Sequence, residues 1–179
     1  MHPDLIETLR LAQRFGFFGA RPIEEAVAHA QAFVAALGPL PTGSRLVDIG
    51  SGGGLPGLVL AAAYPQASIT LVDRRTKRTD FLRRAVRRLA FEHVQIRADD
   101  VAALVAEVAA HVEQPFDVVT ARGFGPPDTT LRTATSLLAR TGRIVISEPP
   151  AGDRWPPKLV AELGLRSSTH DAVRVFRFT

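Results

Sequence analysis

The segment Leu46-Val47-Asp48-Ile49-Gly50-Ser51-Gly52-Gly53-Gly54-Leu55-Pro56-Gly57 concentrates the residues best able to hold a cofactor. Glycines at this density let the chain turn with positive φ and let a ligand lie against bare backbone. Two ligands are compatible with the spacing. From Gly52 the segment reads G-x-G-x-x-G through Gly54 and Gly57, and Asp73 follows Gly52 by 21 residues, as in a dinucleotide site whose acid holds a ribose. From Asp48 it reads D-x-G-x-G-x-G through Gly50, Gly52 and Gly54, the loop of S-adenosylmethionine enzymes. Charge favours the second. A dinucleotide offers its pyrophosphate to the helix N-terminus, where a carboxylate just upstream contributes nothing or repels. S-adenosylmethionine has no phosphate; its sulfonium and ammonium are groups that Asp48 can stabilise directly or through water. Asp73, as a carboxylate, only accepts hydrogen bonds and suits ribose hydroxyls. In Asp99-Asp100 one carboxylate can receive an adenine amino group, or cap a helix.

These residues need strands that end where they sit. From Arg45 onward, β-branched runs alternate with helical patterns: Arg45–Ile49, Ser68–Asp73, His93–Arg97, Phe116–Thr120 and Arg143–Ser147. Such alternation implies βαβ crossovers and a parallel sheet covered on both faces. A short helix over Lys158–Leu163 and two further strands, Leu165–Thr169 and Ala172–Phe178, read as a closing antiparallel hairpin. Five parallel strands and a terminal hairpin are the arrangement of a class I S-adenosylmethionine-dependent methyltransferase, a Rossmann-like α/β fold, although hairpins also end other α/β folds. Two helices, Asp4–Arg14 and Ile23–Leu37, precede it; in the second, Ile23, Val27, Ala30, Val34 and Leu37 recur at helical spacing. The intervening Phe15-Gly16-Phe17-Phe18-Gly19 reads as a plug fixing this helical layer to the sheet, with part of a substrate mouth as the alternative. The 179 residues suit one methyltransferase domain: a helical layer over 1–40 and the Rossmann-like core over 45–179. A dehydrogenase would need additional chain for substrate contacts.

The absence of cysteine excludes a thiolate nucleophile, and with it covalent C5-pyrimidine methylation; no metal is expected. The fourth strand runs into Thr120-Ala121-Arg122-Gly123-Phe124, not into the Asp/Asn-Pro-Pro-aromatic motif that holds exocyclic base amines. No His or Lys stands at a strand end as a base for a hydroxyl acceptor. Guanine N7 has an in-plane lone pair and no proton, so it needs only positioning. The net charge of +4 is unevenly spread. Arg74, Arg75, Lys77, Arg78, Arg83, Arg84, Arg87 and Arg88 face a single acid, Asp80, between positions 74 and 88, which leaves the rest of the chain at −3. Phe81, Leu82, Ala85, Val86 and Leu89 share one helical face there, which turns the basic side chains outward, as phosphate contact requires.

The pattern Asp73-x-x-x-Lys77-Arg78-x-x-Phe81-Leu82, with VDIGSGGGLPGLVLA upstream and FDVVTARGF downstream, resembles the RsmG (GidB) family, over roughly Arg45 to Ile146. That family methylates guanine N7 in small-subunit ribosomal RNA. The resemblance implies S-adenosylmethionine as cofactor and contacts from Gly50, Ser51, Gly52, Asp73 and the Asp99-Asp100 region. The loop residues Asp48, Gly54 and Leu55 complete the expected cofactor set. Arg122 is implied to sit beside the transfer site, and its planar fork suits an RNA phosphate or a guanine edge. The partner implied is ribosomal RNA or the small ribosomal subunit, bound through the eight basic residues; a cytoplasmic location without membrane contact is expected.

Two departures bear on the substrate. His29 matches a family histidine, but Ala32 and Phe33 replace the residues that follow it, and His29 itself reads as a helix-surface or capping residue. The fifth strand ends in Glu148-Pro149-Pro150 where the family has Lys-Gly. An acid at that point disfavours phosphate, so methylation of a small molecule or protein is the alternative, and a catalytically silent cofactor- or RNA-binding module is a third reading.

Overall fold

The computed structural model describes residues 4–148 and 154–179; Pro149 and Pro150 lie outside them. Two helices, α1 (Leu5–Arg14) and α2 (Ile23–Leu37), precede the alternating core: β1 (Arg45–Ile49), α3 (Gly57–Ala63), β2 (Ser68–Val72), α4 (Thr76–Arg88), β3 (Val94–Arg97), α5 (Val101–Ala109), β4 (Phe116–Ala121), α6 (Pro127–Leu137) and β5 (Leu138–Ser147). After α7 (Pro157–Glu162) come β6 (Leu165–His170) and β7 (Val173–Phe178). The sheet order is β3-β2-β1-β4-β5-β7-β6. The first five strands are parallel, and β7 runs antiparallel between β5 and β6. The chain winds outward in opposite directions on either side of β1, so the carboxyl ends of β1 and β4 open a crevice where the order reverses, the place at which open α/β sheets bind ligands.

The expected strands are present with shifted ends. β5 begins five residues early, at Leu138, because that residue pairs with Phe116 before a register slip; the regular ladder resumes at Val118 and Arg143. His170 belongs to β6, and the turn is made by Asp171, at φ 48°, and Ala172.

Alternation along each buried strand divides the core in two. Leu46, Ile69, Leu71, Val118 and Val145 pack against α1 to α4. Val47, Ile49, Val119, Ile144 and Ile146 pack against α5, α6 and α7. Helix α4 buries Phe81, Leu82 and Ala85 on the first face and ends on buried Leu89, with Val86 half-buried beside them. Each large apolar side chain of this set contributes on the order of 1.5–3 kcal/mol by its burial. At the start of α3 the helix runs so close to β2 that a Cβ on Gly57 would lie 2.4 Å from Leu71 Cδ2 and 2.9 Å from Asp48 Oδ2. Only glycine fits there, and its small size sets α3 directly behind the turn that leaves β1.

Candidate active site

The turn after β1 is fixed by hydrogen bonds to the neighbouring strand. The Ser51 N–H donates to the Val72 carbonyl at 2.9 Å, and Ser51 Oγ donates to the Asp48 carbonyl at 2.7 Å while accepting from the Val72 N–H. Asp73, just past β2, spans the gap. Its Oδ2 accepts the Gly52 N–H at 2.9 Å, its Oδ1 accepts the Arg75 N–H at 2.9 Å, and Arg78 Nη1 lies 3.5 Å from Oδ2. Asp73 thus holds the glycine turn to the first residues of α4. Gly50 has φ 69°, and a Cβ on it would meet the Phe124 ring at 2.9 Å. The backbone here is open to a ligand on one side and walled by an aromatic ring on the other.

Gly50, Asp73, Asp99 and Asp100 line one cavity of about 390 Å³, together with Arg74, Arg75, Arg78, Val101 and the Gly123–Pro126 stretch after β4. This volume falls within the range of small-molecule sites. Asp100 also caps α5 by accepting the Ala102 N–H at 3.0 Å, and Arg74 stands 3.8 Å from its carboxylate. Asp99 pairs with Arg97 at 3.2 Å. The other expected loop residues lie behind the cavity: Asp48, Ser51, Gly52, Gly54 and Leu55 are buried and shape the turn without lining it.

Arg122 opens on a second cavity, of about 450 Å³, lined also by Phe18, Arg21, Glu25 and His29. Its Nη1 is buried with no hydrogen-bond partner, and burial lowers its pKa against the pull of Asp48. His29 is not the surface or capping residue expected. It sits in the middle of α2, half-buried, with Nε2 lacking a hydrogen-bond partner, and burial followed by the charge of Arg122 pushes its pKa down. The helix period fixes its direction: Ile23, Val27 and Ala30 turn to the core, which leaves position 29 facing the β4 exit. Sequence spacing alone carries no signal for that, because the cavity is shared with Arg122, just past the end of β4 and 93 residues later.

Asp48 lines neither cavity and is fully buried. Its Oδ1 accepts from Thr120 Oγ1 at 2.7 Å, and its Oδ2 has no partner of ordinary hydrogen-bond geometry. Burial pushes its carboxyl up to about 7, against the lowering effects of the Thr120 and Ser51 hydroxyls, the Gly57 N–H and Arg122. An unfolded aspartate ionises near 3.9, so between about pH 4 and about pH 7 the folded protein keeps a proton that the unfolded chain has lost. Stability contributed by this group therefore falls as pH rises through that window, by on the order of 4 kcal/mol at most, and is level above it. Urea denaturation of Asp48→Asn beside the natural protein is expected to show the variant gaining relative stability from about pH 4 to about pH 7 and no further gain above it. A pH-independent difference would contradict this assignment.

Glu148 lines neither cavity. It accepts from Trp155 Nε1, ahead of α7, and lies 3.8 Å from Arg174 of β7, so among the described residues this acid is engaged by the C-terminal region and not by either cavity. Of the eight basic residues, Arg74, Arg78, Arg83 and Arg88 form ion pairs, whereas Arg75, Lys77, Arg84 and Arg87 are exposed and form none among the described residues. Among the described residues no group of His, Asp and Glu could hold a metal, and no helix is long and apolar enough to cross a membrane.

Two comparisons fit this geometry. Solved structures that share the fold include precorrin-6y C5,15-methyltransferase from Geobacter metallireducens, with TM-score 0.59 and 15% identity over 90% of this chain and 92% of that one. Coclaurine N-methyltransferase matches with TM-score 0.61 and 14% identity over 86% of this chain and 52% of that one. The fold is accordingly the class I methyltransferase fold. Among curated proteins, ribosomal RNA small subunit methyltransferase G of Laribacter hongkongensis is 38% identical over 104 residues, 58% of this chain and 47% of that protein. The Thermobifida fusca protein of that name is 33% identical over 138 residues, 75% of this chain and 51% of its own length. The chain thus spans about half the length of the curated relatives it matches. The model of the GidB family matches residues 6–148. This chain, with its glycine turn braced by Asp73 and its arginine at the β4 exit, belongs to the GidB family, described as rRNA small subunit methyltransferase G.

Proposed function

We propose that this chain is a cytoplasmic S-adenosylmethionine-dependent methyltransferase acting on guanine N7 of small-subunit ribosomal RNA. The observation that carries the reading is the placement of three consecutive residues: Arg122 lines one cavity, and Gly123 and Phe124 line the other. A donor site and an acceptor site separated by one strand exit are what an in-line displacement requires.

The residues present fit the cofactor. Asp73 is 5% exposed, yet its two carboxylate oxygens have lone pairs beyond the two backbone N–H groups they accept, enough for ribose hydroxyls. Asp99 and Val101 flank the far end, where an adenine amino group and ring would find an acceptor and an apolar wall. Gly50 offers uncovered backbone. When bound, S-adenosylmethionine supplies an electrophilic methyl group on a cationic sulfur. Arg122 then serves the acceptor side: its unpartnered Nη1 and its planar fork can donate in pairs to a guanine edge or hold a phosphate. N7 carries no proton, so no residue has to act as a general base, in keeping with a histidine whose pKa is pushed down by its surroundings.

Ribosomal RNA also accounts for the exposed α4 cations Lys77, Arg84 and Arg87, which form no ion pair among the described residues; α4 and the residues just before it reach the cavity rim through Arg74, Arg75 and Arg78. Replacing Arg84 and Arg87 with alanine is expected to weaken RNA binding alike for all sequences and to lower the slope of log K against log salt by about 1 for each phosphate no longer held. Filter binding across a salt series checks this; an unchanged slope would remove α4 from the interface.

The reading as a whole is tested by incubating the chain with methyl-tritiated S-adenosylmethionine and small-subunit RNA or particles, then digesting to nucleosides. Label in 7-methylguanosine is expected. Label only in protein or in a small molecule would favour the alternative acceptors, and no label would favour a silent binding module.

A further inference from the structure

The aromatic segment between α1 and α2 does more than seal the helical layer. Phe17 and Phe18 lie over the glycine turn, where a Cβ on Gly53 would meet Phe18 Cζ at 2.7 Å and Phe17 Cβ at 2.9 Å. Phe18 continues into the wall of the Arg122 cavity. Phe17 packs edge-on against Phe81 of α4 at 5.6 Å between centroids, with the Arg78 guanidinium 6.0 Å from its ring. Phe15 is different. It meets Phe81 edge-on at 6.1 Å and Phe17 at 5.9 Å, yet remains 54% exposed. A phenylalanine this exposed at the edge of a basic helix leaves apolar ring surface in water for little packing benefit. The three rings therefore run from the exposed Phe15, packed on Phe81 of α4, through Phe17 under Arg78 and across the cofactor turn, to Phe18 in the wall of the acceptor cavity.

We propose that Phe15 is a stacking site for an unpaired base flanking the target nucleotide, so that the substrate segment is single-stranded where it meets this protein. The proposal rests on the RNA reading above and adds the conformation of the RNA. An aromatic face beside cations is the recurring means of holding single strands, with the ring stacking on a base and the cations tracking the backbone. A duplex buries its base faces and cannot use the ring. Charge argues for a nucleic acid over an apolar protein surface, because α4 carries exposed cations, Lys77, Arg84 and Arg87, that form no ion pair among the described residues.

The test compares Phe15→Ala and Phe15→Trp with the natural protein, using a short single-stranded RNA and the same sequence annealed into a duplex, over a range of salt. Phe15→Ala is expected to weaken single-strand binding fivefold or more, from the stacking lost per base (~1–3 kcal/mol). Duplex binding and the salt slope should stay unchanged, since no charge is removed. Phe15→Trp should restore the affinity. S-adenosylhomocysteine binding, measured by calorimetry, should match the natural protein in both variants and show that the turn is intact. Equal single-strand affinity for Phe15→Ala, or equal weakening on both RNAs, would overturn the stacking site alone. Failure of the natural protein to bind either RNA would overturn it together with the RNA reading.

Discussion

Replacing Asp73 with alanine is expected to weaken S-adenosylmethionine binding by about 100-fold or more and to lower the melting temperature as well. The double effect follows from what the carboxylate holds. It accepts from the Gly52 and Arg75 N–H groups at 2.9 Å each and faces Arg78. Hydrogen bonds to a charged group are worth about 1.5–3 kcal/mol each, and losing the pair also leaves a buried N–H without a partner. The turn then loses its tie to the start of α4, while its Ser51 bonds to Val72 remain, and the ribose loses its acceptor. Asp73→Asn keeps the shape but replaces one acceptor with a donor, so it should fall between the two. Calorimetry for affinity and thermal denaturation for stability read the two effects separately. A variant that melts normally and binds normally would show that the carboxylate is neither brace nor ligand.

Arg122→Ala is expected to slow methyl transfer by about 10²–10³, the range seen when one donor that meets developing or fixed charge is removed. Cofactor affinity should change only a few-fold, because Arg122 faces the second cavity and not the first. Lysine should not restore the rate, since a point charge on a flexible stem cannot reproduce a two-pronged donor. Single-turnover kinetics beside calorimetry separate these quantities. If cofactor affinity falls as far as the rate does, or if lysine substitutes fully, Arg122 is a structural charge for Asp48 and has no role at the acceptor.

Much of this architecture is legible in the sequence because it depends on local pattern. Strands buried on both faces must read as apolar runs, and Arg45–Ile49 and Phe116–Thr120 do. The glycine turn is bound to the neighbouring strand by Ser51 and to the Asp73 carboxylate through the Gly52 N–H, all within one strand step, so their spacing carries their geometry. What spacing does not carry is set by residues distant in the chain. Asp48 has the position of a cofactor ligand, but the approach of α3 at Gly57 and the hydroxyl of Thr120 enclose it. His29 reads as peripheral because nothing near it in sequence announces that β4 delivers Arg122 beside it. Glu148 reads as an acid at the acceptor, whereas Trp155 and Arg174 from the C-terminal region draw it away. The Phe15–Phe18 segment reads chiefly as a plug; Phe17 serves as one, and the exposure of Phe15 is a property of the packed molecule that periodicity does not report.

Isothermal titration of the natural protein with S-adenosylmethionine, and separately with nicotinamide adenine dinucleotide, tests the central claim most directly. One equivalent of S-adenosylmethionine should bind, Asp73→Ala should abolish the heat, and the dinucleotide should neither bind nor compete. Saturable binding of the dinucleotide, or no heat with S-adenosylmethionine or its demethylated product, would contradict the account.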